Sequence, residues 1–281
     1  MGFFSKNQIT FATYLLFAAI AFTCTEVVLL KIYQFPSLVK FDRYFFKSII
    51  GYPDYVDHIH AWFLGANDLR KMHMLAGAVF LILAPFQHSK TFRAKSLDRH
   101  RWMGRVAVLC SASAAYGLYN MAKRPGYLFA CTPVIDEERE EWPEFYDGTI
   151  DRDAIKVEDC VSKAEWYAVV IFGTHFAISL VTAMYHIYIA YYWGSKGDQK
   201  KRNAHVMLHK AWMVRHTANA VSPGVFRLIN IALSPLTRGM FGMYGRRVMF
   251  GWQIFGTWAM DVIIAELYVR KHLQAGQKKK A

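Results

Sequence analysis

Acidic residues are scarce in this chain: 21 Asp and Glu stand against 34 Lys and Arg in 281 residues, a formal net charge of +13. Such an excess of base can serve nucleic acid, but these basic residues cluster at the ends of apolar runs and no RNA- or DNA-binding motif accompanies them. Basic residues in that position anchor helices against lipid phosphates, so nucleic acid is not an expected partner. Cysteine is also rare, with four residues, no CxxC pair and no zinc spacing, so no metal centre is expected. A Gly-rich phosphate loop, a nucleophile elbow, an HExxH helix and an acidic metal cluster are all missing, which removes the common soluble-enzyme classes. No repeat relates the two halves, which argues against a transporter of inverted repeats, although Ser222-Pro223-Gly224 is expected to break a helix in the way transporters do.

Apolar residues make up 54% of the chain, with aromatics at 16%. A soluble domain sits nearer 45–50% apolar, as a rough average. The excess is gathered into runs at 9–32, 72–88, 103–122, 165–193 and 248–268. Crossing a hydrocarbon layer of about 30 Å takes about 20 helical residues. A sixth, charged stretch at 207–233 completes an even number, and the expected fold is an all-α polytopic membrane bundle of about six transmembrane helices. The first run is too long for the apolar core of a cleaved signal and lacks a small-residue cleavage site, so it is expected to remain as an anchor.

Loop charge sets the orientation. SKTFRAKSLDRHRWMGR holds six Lys and Arg, GSKGDQKKRNAHVMLHK five, and the tail from Arg270 five more. The opposite side receives the loop 123–163, with eleven acidic and six basic residues. The difference lies in the density of basic residues more than in their total, and it puts both termini inside, in cytoplasm or matrix. The segment 33–70 mixes aromatics with recurring charges, so it reads as an interfacial loop. Cys24 and Cys110 fall within spans as small packing residues. Cys131 and Cys160 share the outer loop and form a disulfide if that side is oxidising.

Histidines offer a redox reading. His175 and His186 lie eleven residues apart, on one helical face within about 20° and about 16 Å apart along the axis. His73 with His175 near the outer side, and His186 with His209 near the inner side, are candidate ligand pairs for a b-type haem held from two faces.

Two blocks of residues carry a resemblance. His73, Gly77, Pro85, Gln87, Arg93 and the run His100-Arg101-x-x-Gly104-Arg105 form the first. His209, Trp212, Met213, Arg215 and Arg227 form the second. Together, over about residues 70 to 235, they resemble a family of multi-span membrane proteins catalogued as domain of unknown function 2306. The long acidic loop and the added aromatic loop depart from that pattern. The resemblance implies a membrane helix at span five, and no activity, cofactor or substrate.

Span five, HKAWMVRHTANAVSPGVFRL, is the anomaly because charge inside a bilayer is costly and is usually paired. Arg215 lies about 12 Å in from Met207, at 1.5 Å per residue. Asp261 on span six matches that depth, and Glu26 on span one matches Arg227, so two ion pairs are expected. Arg93, Arg99, His100, Arg101, Arg105 and Lys210 form a basic inner surface suited to anionic, cardiolipin-like lipid. The function these features favour is a non-catalytic membrane subunit that assembles or stabilises a larger complex with other membrane subunits. The specific expectation is an accessory subunit of a respiratory or other energy-converting complex of the mitochondrial inner membrane, with a bacterial plasma membrane as the alternative setting. A haem b or quinone-linked redox protein using the span histidines is the competing class.

Overall fold

The computed structural model describes residues 68–124, 156–160 and 162–274, and among these every regular element is helical and no strand occurs. The elements are α1 (Asp68–His88), α2 (Lys90–Lys95), α3 (Leu97–Lys123), a 3-10 turn (Val157–Asp159), α4 (Ala164–Ser195) and α5 (Gln199–Tyr268), which closes in a π turn (Val269–Gln274). The expected first span at 9–32, the aromatic loop and most of the acidic loop lie outside the described residues. One described helix, Ala164–Ser195, is long and apolar enough to cross a membrane, and a shorter apolar helix covers His73–His88.

The two basic connections are far more helical than expected. The basic stretch after span two is mostly helix: Ser89 caps α2 by accepting from the Phe92 N–H at 3.2 Å, and α3 begins at Leu97. Between α4 and α5 the turn shrinks to Lys196–Asp198. There Gly197 takes φ 74°, a left-handed conformation only glycine adopts without strain. Asp198 then caps α5, its side chain accepting from the Lys201 N–H at 3.0 Å. The eight residues 199–206, expected in this loop, are therefore the first turns of a helix.

Helical backbone runs unbroken from Gln199 to Tyr268, which joins the separately expected spans five and six. It also passes through Ser222-Pro223-Gly224, so the expected break there is not found. Pro223 withdraws only the N–H that would bond the Asn219 carbonyl. Yet Arg215 and Glu266 are in contact at 2.7 Å. A straight helix would hold residues this far apart in sequence roughly 75 Å from each other. Asn219 likewise meets Trp258 at 2.8 Å. The helix axis must therefore reverse between Asn219 and Trp258, giving α5 an outgoing and a returning antiparallel arm. The arms are those expected as two spans; the missing feature is a non-helical loop between them.

Small residues set the distances between helices. Ala78, Phe80, Leu81, Ala84 and Ala107 form one buried cluster, and Ala76, Ala114, Leu118, Val169, Phe172 and Phe176 another. Gly117 lies so close to α1 that a Cβ there would overlap the His73 Cβ. On the returning arm, Gly251 meets the backbone of Ala164 and Glu165 at the start of α4. Such alanine and glycine contacts allow backbones to approach closely, which is how helices associate where lipid removes the hydrophobic drive.

Candidate functional site

The outgoing arm of α5 carries a line of polar side chains into the centre of the bundle, and almost every one is bonded. His216, Asn219, Ser111 and Ser179 are fully buried at 0% exposure. His216 lies between α3 and α4, with Nε2 2.9 Å from Ser111 Oγ and Nδ1 3.1 Å from Ser179 Oγ and 3.2 Å from the Phe176 carbonyl. Ser179 donates its own hydroxyl hydrogen to the Phe176 carbonyl at 2.8 Å. Its oxygen therefore accepts from His216 Nδ1–H, and Nε2 accepts from the Ser111 hydroxyl. All three groups are satisfied by one neutral tautomer. Phe80 from α1 meets the imidazole edge-on at 5.3 Å, so one ring ties three helices to α5.

One turn on, Asn219 Oδ1 accepts from Trp258 Nε1 at 2.8 Å and from His175 Nδ1 at 3.0 Å, while its amide donates to the Arg215 carbonyl at 3.0 Å. Arg215 gives two hydrogen bonds to Glu266 Oε2, from Nε at 2.9 Å and from its terminal nitrogen at 2.7 Å, and its guanidinium lies over Trp212 at 4.7 Å. Arg270, 70% exposed, holds the other carboxylate oxygen at 2.8 Å. His175, Trp212, Arg215 and Glu266 line a cavity of about 130 Å³ between the arms and α4.

These contacts correct several expectations. The acid facing Arg215 is Glu266, not Asp261. The depths were counted from expected inner ends near Met207 and Tyr268, whereas the helix starts at Gln199 and continues to Gln274, and depth does not say which face of the returning arm meets Arg215. Asp261 instead hydrogen-bonds Ser222, and its Oδ2 is buried without a partner. Neither haem pair is brought together by the bonds these histidines make. His73 Nδ1 bonds the Ala114 carbonyl at 2.7 Å on α3, whereas His175 turns to Asn219 on α5. His186 meets His205 at 3.1 Å, with ring centroids 5.3 Å apart, and His209 bonds the Ala183 carbonyl at 2.9 Å. Leu118, Phe172 and Phe176 pack in one buried cluster with Ala76, Ala114 and Val169.

Arg227 and Glu26 lie outside what is described, the first for its side chain and the second altogether. Cys160 is disulfide-bonded and Cys110 is free, so the partner of Cys160 lies outside the described residues, as does the expected partner Cys131. His216, Ser111, Ser179, Asn219, His205 and Glu266 were not singled out from the sequence. A signal existed for three of them: Ser111, Ser179 and Asn219 are polar residues inside otherwise apolar runs, where a partner is required.

The basic residues around α2 and the start of α3 divide into two groups. Arg99, Arg101 and Arg105 are exposed, and Arg101 pairs with Asp98 at 3.2 Å. Arg93, His100 and Lys210 are half-buried and lie near the exposed Lys90 and His88 and near His209. Burial, and then the Arg93 charge, hold the His100 pKa below its ordinary 6.5. Among the described residues, no group of three His, Cys, Asp or Glu side chains suited to a metal ion occurs.

No family model, curated protein or solved structure matches the chain, so the family resemblance rests on the quoted residues alone.

Proposed function

We propose that this chain is an integral membrane protein of six spans with its basic side inward, and that its role is structural. It would be a non-catalytic subunit that stabilises a larger assembly, with anionic lipid at its basic end. The energy-converting complexes of the mitochondrial inner membrane are the setting we favour, ahead of a bacterial plasma membrane.

The observation that carries this reading is an inverted polarity. In the most apolar window of α4, 33% of the residues are buried within the chain, while Ile171, Ile178, Val181, Tyr185 and Tyr188 face outward. On the same helix Ser179 is completely buried against His216. Water would favour the opposite arrangement, whereas a bilayer favours this one, because hydrocarbon tolerates exposed aliphatic groups and penalises unpaired polar ones. Leu109 at 70% exposure on α3 and Ile263 at 59% on the returning arm continue the outward apolar surface. The buried polar groups bond to one another across helices, which suits a role in holding helices together. The disulfide at Cys160 is consistent with an oxidising space on the side opposite the basic loops.

Alkaline extraction of native membranes followed by blue-native electrophoresis tests both parts. The chain should stay in the pellet and co-migrate with a large assembly whose abundance falls when the chain is depleted. Release into the supernatant would refute the membrane reading. Normal assembly without the chain would refute the structural role. A Soret absorption band in the purified protein would restore the haem reading.

A further inference from the structure

Four elements bring basic side chains to one place, and among the described residues no ion-paired acid joins them. His88 ends α1, Lys90 and Arg93 lie on α2, His100 starts α3, and His209 and Lys210 lie on the outgoing arm of α5. They are held there by specific bonds. His88 Nε2 lies 2.8 Å from Thr217 Oγ1, Gln87 Nε2 donates to the His100 carbonyl at 3.3 Å, and His209 is fixed to Ala183 at 2.9 Å. The Gln87 side chain also packs 3.2 Å from where a Cβ on Gly104 would lie, which docks the end of α1 against α3. Arg93 is near enough for its charge to act on His88, His100, His209 and Lys210, and Lys90 acts on Lys210.

None of the carboxylates that pair with basic side chains in this structure serves these residues. Among the described residues Asp98 is taken by Arg101, Asp198 by Lys201 and Glu266 by Arg215 and Arg270. Lys210 has only the Met207 sulfur, at 4.0 Å, and His100 Nδ1 is buried with no hydrogen-bond partner. Lys90 from an exposed position and the half-buried Arg93 and Lys210 repel one another there, and a counter-anion relieves that repulsion.

We propose that this junction of α1, α2, α3 and α5 is a binding site for a phosphodiester anion, gripped by Arg93, Lys90 and Lys210 with His100 completing it. A guanidinium offers two parallel donors to phosphate, and the two ammonium groups and the imidazole add point donors around it. The proposal deepens the membrane reading and rests on it. Because the site lies at the inner ends of helices whose outer surfaces are aliphatic, the anion's source is the headgroup of an anionic lipid with its chains lying along α3 and α5. The exposed Arg101 and Arg105 are excluded from the grip; they belong to the general positive decoration of an inner surface.

The test compares two double variants of the full chain in detergent, Arg93→Gln/Lys210→Gln and Arg101→Gln/Arg105→Gln, which remove the same charge from the junction and from the rim. Native mass spectrometry after addition of cardiolipin in phosphatidylcholine reads lipid retention. Each basic group contributes about fivefold in attraction to anionic lipid. The junction variant should therefore hold cardiolipin about thirtyfold more weakly, and the rim variant within a few-fold of the parent. Thermal melting supplies a second readout. Without anionic lipid the junction variant should melt higher than the parent, because repulsion is relieved, and cardiolipin should no longer raise its melting point. If the double variant does not fold, Lys210→Gln alone is read, with about a fivefold loss expected. Equal losses in both variants, or none in the junction variant, overturn the site. Inorganic phosphate stabilising the parent as strongly as cardiolipin overturns the lipid source. Failure here with the chain still resistant to alkaline extraction removes the site and leaves the membrane reading intact.

Discussion

Glu266→Ala is the most informative single change. It removes the carboxylate that accepts both hydrogen bonds from Arg215, whose side chain is 16% exposed, and leaves that guanidinium with only the Trp212 ring as a favourable contact. Deleting one partner of a fully buried pair costs about 3–5 kcal/mol, and because the Glu266 side chain is 30% exposed the loss here should be smaller, about 1–3 kcal/mol. Asp261 cannot take over: five residues along a helix is about 140° around its axis, on a different face. The Arg270 bond to the same carboxylate counts for much less, since Arg270 is 70% exposed and exposed pairs are worth about 0–1 kcal/mol. Replacing both members, Arg215→Met with Glu266→Leu, deletes charge and counter-charge together and should recover most of the loss. Reversible unfolding of the single and double variants in mixed micelles gives the coupling directly, with Arg270→Ala and Asp261→Asn as milder references. If Glu266→Ala and the double variant are equally stable, or Asp261→Asn is the more damaging change, the assignment of Glu266 as the partner fails.

Other consequences follow from the same contacts. His216→Phe should cost about 1–3 kcal/mol, since it strands the Ser111 hydroxyl while Ser179 keeps its bond to the Phe176 carbonyl, whereas Ser111→Ala/Ser179→Ala with His216 kept should be worse than either serine change alone. Gly117→Ala should destabilise by about 1–3 kcal/mol through overlap with His73, while Gly77→Ala, with nothing within 4 Å of its added carbon, should be close to neutral; urea midpoints in detergent compare them. Gly251→Ala should be at least as harmful as Gly117→Ala, because its added carbon overlaps the backbone of Ala164 and Glu165. Reduction followed by maleimide labelling should add a reactive thiol at Cys160, and a chain whose Cys160 labels fully before reduction contradicts the disulfide.

The all-helical architecture was legible in hydropathy, because runs of about 20 apolar residues have the length of a helix able to cross a bilayer. The ends of α1, α3 and α4 came out within a few residues of the expected spans, except where polar turns extend a helix beyond the apolar run, as at Leu97 and Gln199. Polarity within a run was also readable: Arg215 had to have a partner, and the arm carrying it had to lie inside the bundle. Which partner it takes was not readable. That depends on the register between two antiparallel arms, and a reversal that stays helical moves the register by whole residues without leaving a mark in composition. The histidines show the same limit. Each was recognised as a polar group in an apolar helix, but the direction of its ring is set by neighbours distant in sequence, such as Ala114 for His73 and Asn219 for His175. The basic inner end was visible as charge density along the chain. Only the folding of α1 and α2 against α3 and α5 separates Arg93 and Lys210, crowded together without an acid, from Arg101, which lies on the surface beside Asp98.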